Sequence, residues 1–245
     1  LSKKNPKNEF FYNLKLVYNT STKLISLGKF VSPKKMFNNK YAHRASASKT
    51  MQAAYKKLAS KLKEKFKPNS ILEIGSNDGV FIKHFTNIKN VGVEPCKNLA
   101  EITNKMKIKT YDKFWTTKLA KKIFKHFGKF DIIYSANTIS HIHDLKQTFK
   151  AIEYLMNDNG VFILEDPSLL KSIINLSYDQ FYDEHAYVFS IISLRNITKH
   201  SGLEIFNIEE LKTHGGSNRV YFRKINNKKL KVKNNFSKHF KTEIK

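Results

Sequence analysis

Tyr182, Glu184 and His185 put a phenol, a carboxyl group and an imidazole within four consecutive positions. An imidazole, with an unperturbed pKa of ~6.5, accepts a proton near neutrality, and an adjacent carboxylate can orient the ring and support its cationic form. The cluster reads as a general base (His185), its partner or a substrate ligand (Glu184), and a proton relay or donor to a developing oxyanion (Tyr182). His214 precedes Gly215 and Gly216, where the missing side chains allow close backbone approach, and it is a competing base. His141 is a third candidate. The plain alternative for any one histidine is a surface or satisfied core residue, and the chain has nine of them.

A second constellation lies upstream. Glu73-Ile74-Gly75-Ser76-Asn77-Asp78-Gly79 follows a strand-like run. Glycines at a strand-to-helix turn admit a ligand to the backbone, and the helix start offers unpaired amides. The run is neither GxGxxG nor a Walker loop, because GK[ST] is absent. Glu94 stands 21 positions after Glu73, where a nucleoside-binding sheet uses an acid to accept both ribose hydroxyls.

Alternating elements must position these groups. After an amphipathic helix from Ser48 to Lys67, closed by Pro68, strands are expected at SILEIG, NVGVEP, Ile108 to Tyr111, FDIIYSAN and GVFILED. Helices are expected to begin at Val80 and to cover Asn98 to Met106, Thr116 to Phe127 and Leu145 to Met156. This α/β alternation predicts a parallel sheet with helices on both faces and a ligand at the carboxyl ends of the strands. Beyond Asp166 the chain reads as a helical region through Ser201, then two β-like runs, Leu203 to Ile208 and Arg219 to Lys224. Residues 1–47 read as an irregular or β-containing lead-in, 48–224 as the main domain, and 225–245 as a basic tail that frays or opens a further domain.

The loop and Glu94 together resemble the class I S-adenosylmethionine-dependent methyltransferases, whose first motif has the form ExGxxxG and whose second strand ends in an acid. The resemblance runs from about Ser70 to Phe222. It implies a Rossmann-like sheet of seven strands, the last antiparallel, with S-adenosylmethionine as cofactor. Gly75 and Gly79 would lie beside the methionine portion, with Glu73, Ser76 and Asn77 as further cofactor-binding residues of that loop. Glu94, followed by Pro95, would hold the ribose. Asp112 would lie by the adenine, and Asn137 and His141 near the methyl-donor pocket.

Four more motifs look like those of the nucleotide-sugar C-methyltransferases of deoxysugar pathways, in order and spacing. They are YSANTISHIHDL from Tyr134, FILEDPSLL from Phe162, YDQFYDEHAYVFS from Tyr178 and HGGS from His214. The implied reaction is methyl transfer to a ring carbon of a dTDP-linked 4-keto-deoxysugar. Carbon becomes nucleophilic once a proton α to the ketone is removed, so His185 would enolise the sugar before the carbon attacks the methyl in line. His214 would then be the competing base or a sugar-binding group. Other readings of the same residues are O- or N-methylation of a small molecule, a lysine-rich RNA-binding methyltransferase, and an inactive donor-binding remnant.

The chain departs from that family in three places. Asn19 and Thr22 stand where the second Cys-x-x-Cys pair of an N-terminal zinc module would be, and Cys96 is the only cysteine, so residues 1–47 read as a remnant of that module with no metal ligands. The Tyr-x-Tyr element appears as Tyr41-Ala42-His43. The resemblance also implies a further C-terminal domain, and with no Met at position 1 the chain reads as a fragment.

Net charge is +25, from 45 Lys and Arg against 20 Asp and Glu, which ordinarily suggests nucleic acid or an anionic membrane. Only Arg44, Arg195, Arg219 and Arg223 are arginines, whereas base and phosphate readers favour the guanidinium fork. The charge therefore reads as lysine drift over a solvated surface, and nucleic acid is not the expected partner. No apolar run reaches the ~18 residues of a membrane span, and with no disulfide framework or leader a cytoplasmic location is expected. Metal analysis of the purified chain should find substoichiometric zinc; one tightly held ion per chain would contradict the reading of residues 1–47.

Overall fold

The computed structural model describes residues 12–244, a few side chains excepted, that of His214 among them. The first eleven residues of the lead-in lie outside the described residues. β1 (Leu16–Asn19) and β2 (Leu24–Leu27) form an antiparallel hairpin. Asn19 Oδ1 closes its turn, accepting the backbone N–H groups of Ser21 at 3.0 Å and Thr22 at 2.9 Å. An Asx turn thus holds the segment in which the resemblance placed a zinc-ligand pair.

A single turn, α1 (Pro33–Met36), leads to α2 (Lys49–Phe66). Ser48 caps α2 by accepting the Met51 N–H, and Tyr55, Leu58, Ala59 and Leu62 supply its buried stripe. The helix ends where Lys67 turns left-handed at φ 45° ahead of Pro68. Then come β3 (Ser70–Ile74), β4 (Lys89–Val93), α3 (Lys97–Lys105), β5 (Lys109–Tyr111), α4 (Thr117–Phe127), β6 (Phe130–Ala136), α5 (Leu145–Leu155) and β7 (Met156–Pro167). The chain continues through α6 (Leu169–Ile174), β8 (Tyr187–Val188), α7 (Ile191–Thr198), β9 (Leu203–Leu211), β10 (Ser217–Lys224) and α8 (Asn234–Ile244).

The main sheet runs β5-β4-β3-β6-β7-β10-β9. Its first five strands pair in parallel, and β10 is antiparallel to both neighbours. Seven strands with the last antiparallel is the architecture expected from the sequence. β3 is buried along its whole length, as a central strand covered on both faces must be. One apolar cluster lies under α4, α5 and α7, the other under α2 and the turn after β3. Among the described residues no helix is long and apolar enough to cross a membrane.

Three stretches differ from the sequence reading. Val80 to Phe85 yields only a 3₁₀ turn at Ile82–Phe85, because Gly79 holds φ at 79° and β4 already begins at Lys89; burial of Phe81, Ile82 and Phe85 holds the segment instead. The region through Ser201 is broken between α6 and α7 by β8, which pairs with β2 and ties the hairpin to the main domain. The tail, read as fraying or as the opening of a further domain, carries a helix, α8, anchored where Glu243 accepts the N–H groups of Ile191 and Ile192 at the start of α7.

Two strand-end loops and one helix meet closely. Gly75 holds φ at 77°, and a Cβ there would lie 2.0 Å from Thr138 Oγ1 in the loop after β6. Gly79 is crowded from the other side: its Cβ would lie 2.6 Å from Thr103 Cγ2 on α3. Both glycines thus serve contacts between protein segments. Gly75→Ala should lower stability by about 2–5 kcal/mol, from left-handed strain plus overpacking; a loss below about 1 kcal/mol in chemical denaturation would show that the loops tolerate separation.

Candidate active site

A cavity of about 960 Å³ opens at the carboxyl ends of the parallel strands, where such a sheet carries ligands. Its donor-side wall includes Glu73, Gly75, Ser76, Asn77, Glu94, Pro95 and Asn137, all expected from the sequence. The same cavity is lined by Tyr182, Glu184 and His185 and by His141, which the resemblance placed near the methyl donor and which here contacts His185. Gly79 and Asp112 are not among the lining residues; Gly79 faces Thr103, and Asp112 meets Lys113 at 3.7 Å with its side chain 45% exposed. Phe114 and Trp115 line the cavity just beyond Asp112. The side chain of His214 lies outside the described residues, and its Gly215-Gly216 turn packs against Ser177 and Lys171.

Glu94 ties two loops together. Its carboxylate accepts Asn77 N–H and Cys96 N–H, both at 2.9 Å. Burial nonetheless raises its pKa, against those two bonds. Asn77, at φ 48°, also accepts Ala45 N–H at 3.0 Å and donates to the His43 carbonyl at 3.3 Å. Asp78 accepts from the Ser46 hydroxyl at 2.5 Å. Glu73 is pushed well above the carboxylate range by burial, with a hydrogen bond from Ile82 N–H opposing; its Oε2 has no partner.

Another part of the lining is aromatic. Tyr182 and His185 have ring centroids 4.2 Å apart, and His185 and His141 5.2 Å apart. Phe37 stacks on His141 at 5.3 Å and 10°. His185 Nδ1 lies 2.7 Å from the Gln180 carbonyl oxygen, so the neutral ring carries its proton at Nδ1 and its lone pair at Nε2. That orienting contact comes from the Gln180 carbonyl, whereas the sequence reading offered Glu184 as the partner of His185 or as a substrate ligand. The Tyr41 hydroxyl donates to Glu184 Oε2 at 3.5 Å; burial first, and Asp183 second, raise the Glu184 pKa. Burial holds His141 neutral, its pKa lowered to about 3, and pushes the Tyr182 phenol up to about 12.

These groups fit S-adenosylmethionine: a carboxylate at the second strand end, the polar loop Gly75-Ser76-Asn77 at the first, and two aromatic side chains, Phe114 and Trp115, beyond the third. Sequence reasoning missed Phe37, Phe114, Trp115 and Gln180 as lining residues. The single tryptophan of the chain was a signal that could have pointed to Trp115.

Residues 41–208 match the model of a family described as a methyltransferase domain. The chain belongs to that family. It is an S-adenosylmethionine-dependent methyltransferase. It is 28% identical to the C-methyltransferase NovU of Streptomyces niveus over 149 residues, which is 60% of this chain and 36% of that protein. Similar solved folds include an S-adenosylmethionine-dependent methyltransferase of Anabaena variabilis, with TM-score 0.55 and 14% identity over 72% of this chain and 86% of that one. Magnesium protoporphyrin IX methyltransferase of Synechocystis, solved with S-adenosylmethionine bound, gives TM-score 0.51 and 12% identity over 70% and 78%.

Because Trp115 lines the cavity, S-adenosylhomocysteine should change its fluorescence saturably, and Glu94→Ala should weaken binding about tenfold or more through loss of a charged acceptor. No saturable change, with calorimetry equally silent, would refute the donor assignment.

Proposed function

We propose that this methyltransferase acts on a carbon of a nucleotide-linked 4-keto-deoxysugar of the dTDP type. The observation that carries the reading is the Tyr182–His185–His141 ring cluster lining one cavity together with Glu94 and the Gly75 loop. The partial similarity to a C-methyltransferase supports it. The aligned part is about a third of that protein's length, so the whole-protein activity belongs to this proposal too.

S-adenosylmethionine, when bound, supplies a methyl group on a positively charged sulfur. The chain's residues do the rest. Glu94 and the loop from Gly75 to Asn77 orient the donor. His185 Nε2 takes the proton α to the sugar ketone, while Gln180 keeps the ring turned by holding Nδ1. Tyr182 remains a phenol at neutral pH, its pKa pushed up to about 12 by burial first, and donates to the enolate oxygen. His141, neutral, adds a polar but uncharged wall. Lys34, a cation lining the cavity rim, attracts the diphosphate. Residues 1–47 serve as the remnant of a module whose hairpin is tied by hydrogen bonds from Asn19.

The test uses a dTDP-4-keto-deoxysugar in deuterated water. Carbon methylation through an enolate should exchange the α-proton with solvent, and His185→Ala should lower turnover about 10²–10⁴-fold, the range for a lost general base. Full retention of the α-proton in a methylated product would move the assignment to O- or N-methylation.

A further inference from the structure

The FILEDPSLL run places two carboxyl groups at the end of β7, and alternation along the strand sends them to opposite faces. Glu165 pairs with Arg219 on β10 at 2.5 Å. Asp166, only 4% exposed, turns to the other face, among Phe189, Leu194 and Val220. There it accepts the Ser140 hydroxyl at 2.7 Å, and the Ser140 backbone N–H as well. Its second oxygen, Oδ2, is buried and unpartnered. A carboxyl kept dry with an unused acceptor costs stability, and burial, only partly offset by the Ser140 bonds, raises its pKa to about 7.

Ser140 is the middle residue of the 3₁₀ turn Ile139–His141 that follows β6. The next residue is His141, whose ring is packed between Phe37 and His185. Asp166 also lies close enough to Tyr182 to raise the phenol's pKa electrostatically. One carboxyl group therefore bonds the residue before His141 and acts electrostatically on Tyr182, without lining the cavity itself.

We propose that Asp166 is a positioning residue for the acceptor half of the site: by holding Ser140 it sets the His141 imidazole against His185. The assignment of that half to an acceptor rests on the function proposed above; the packing claim does not.

The experiment compares Asp166→Ala, Ser140→Ala and Asp166→Asn with the wild type, each saturated with S-adenosylhomocysteine and checked for folding by the Trp115 fluorescence response. Carbon-13 histidine labelling then reads the two imidazoles. In the wild type, and in Asp166→Asn, which keeps an acceptor for Ser140, His141 should stay neutral down to about pH 5 and show cross-relaxation to His185. In both deletion variants that cross-relaxation should fall at least threefold, and His141 should begin to titrate at least one pH unit higher, as water reaches a loosened ring. With the ketosugar, Asp166→Ala should lose at least tenfold in kcat at donor affinity within twofold of wild type, and Asp166→Asn should recover part of that loss. Unchanged His141 titration and cross-relaxation in folded Asp166→Ala, or in Ser140→Ala if the former does not fold, would overturn the proposal. Changed histidine signals with no turnover by any form, wild type included, would uphold the positioning and overturn the sugar reading.

Discussion

Five carboxyl groups, those of Glu73, Asp78, Glu94, Glu165 and Asp166, are buried near the carboxyl edge of the main sheet in a chain whose net charge is +25. Each needs a hydrogen-bond partner, since a dry, unpaired charge is costly. Glu73 takes the N–H of Ile82, Asp78 the hydroxyl of Ser46, Glu94 two loop amides, Glu165 the guanidinium of Arg219 and Asp166 the hydroxyl of Ser140. Satisfying the acids is thus also what holds the loops around the cavity. The lysines lie mostly outside this edge, and Lys34 alone of the lysines and arginines lines the cavity among the described residues.

The segment before α2 belongs to the same arrangement. Its backbone crosses the donor loop, giving Ala45 N–H to Asn77 and both Ser46 donors to Asp78. Farther back, Tyr41 reaches Glu184 and Phe37 stacks on His141. The hairpin is fastened to β8, two residues beyond His185. Donor loop and ring cluster are therefore contacted by one stretch of chain, through Ala45 and Ser46 on one and Phe37 and Tyr41 on the other.

The strands, α2, α4 and the loop from Glu73 to Gly79 could be read from the sequence because their signals are local: apolar runs, three- and four-residue spacing, and glycine where φ is positive. Glu94 was legible for the same reason, standing where a strand ends. Asp112 had no such anchor; it follows a short edge strand, with its side chain beside Lys113 at the surface, while the next aromatic residues, Phe114 and Trp115, turn to the cavity. The helix expected at Val80 failed on length, and the tail became a helix through one carboxylate, Glu243, docking on a distant helix start.

The sequence alone determined the order of elements, the glycine loop, the acid at the second strand and the types of group near His185, because these depend on neighbours within a few positions. Which groups touch depended on tertiary structure: the Tyr41–Glu184 contact spans 143 positions, and Asp166 meets Ser140 across 26. No local pattern encodes such a pairing. It follows from closing the sheet and drying its edge, where a buried polar group is stabilised by whichever segment the fold brings to satisfy it.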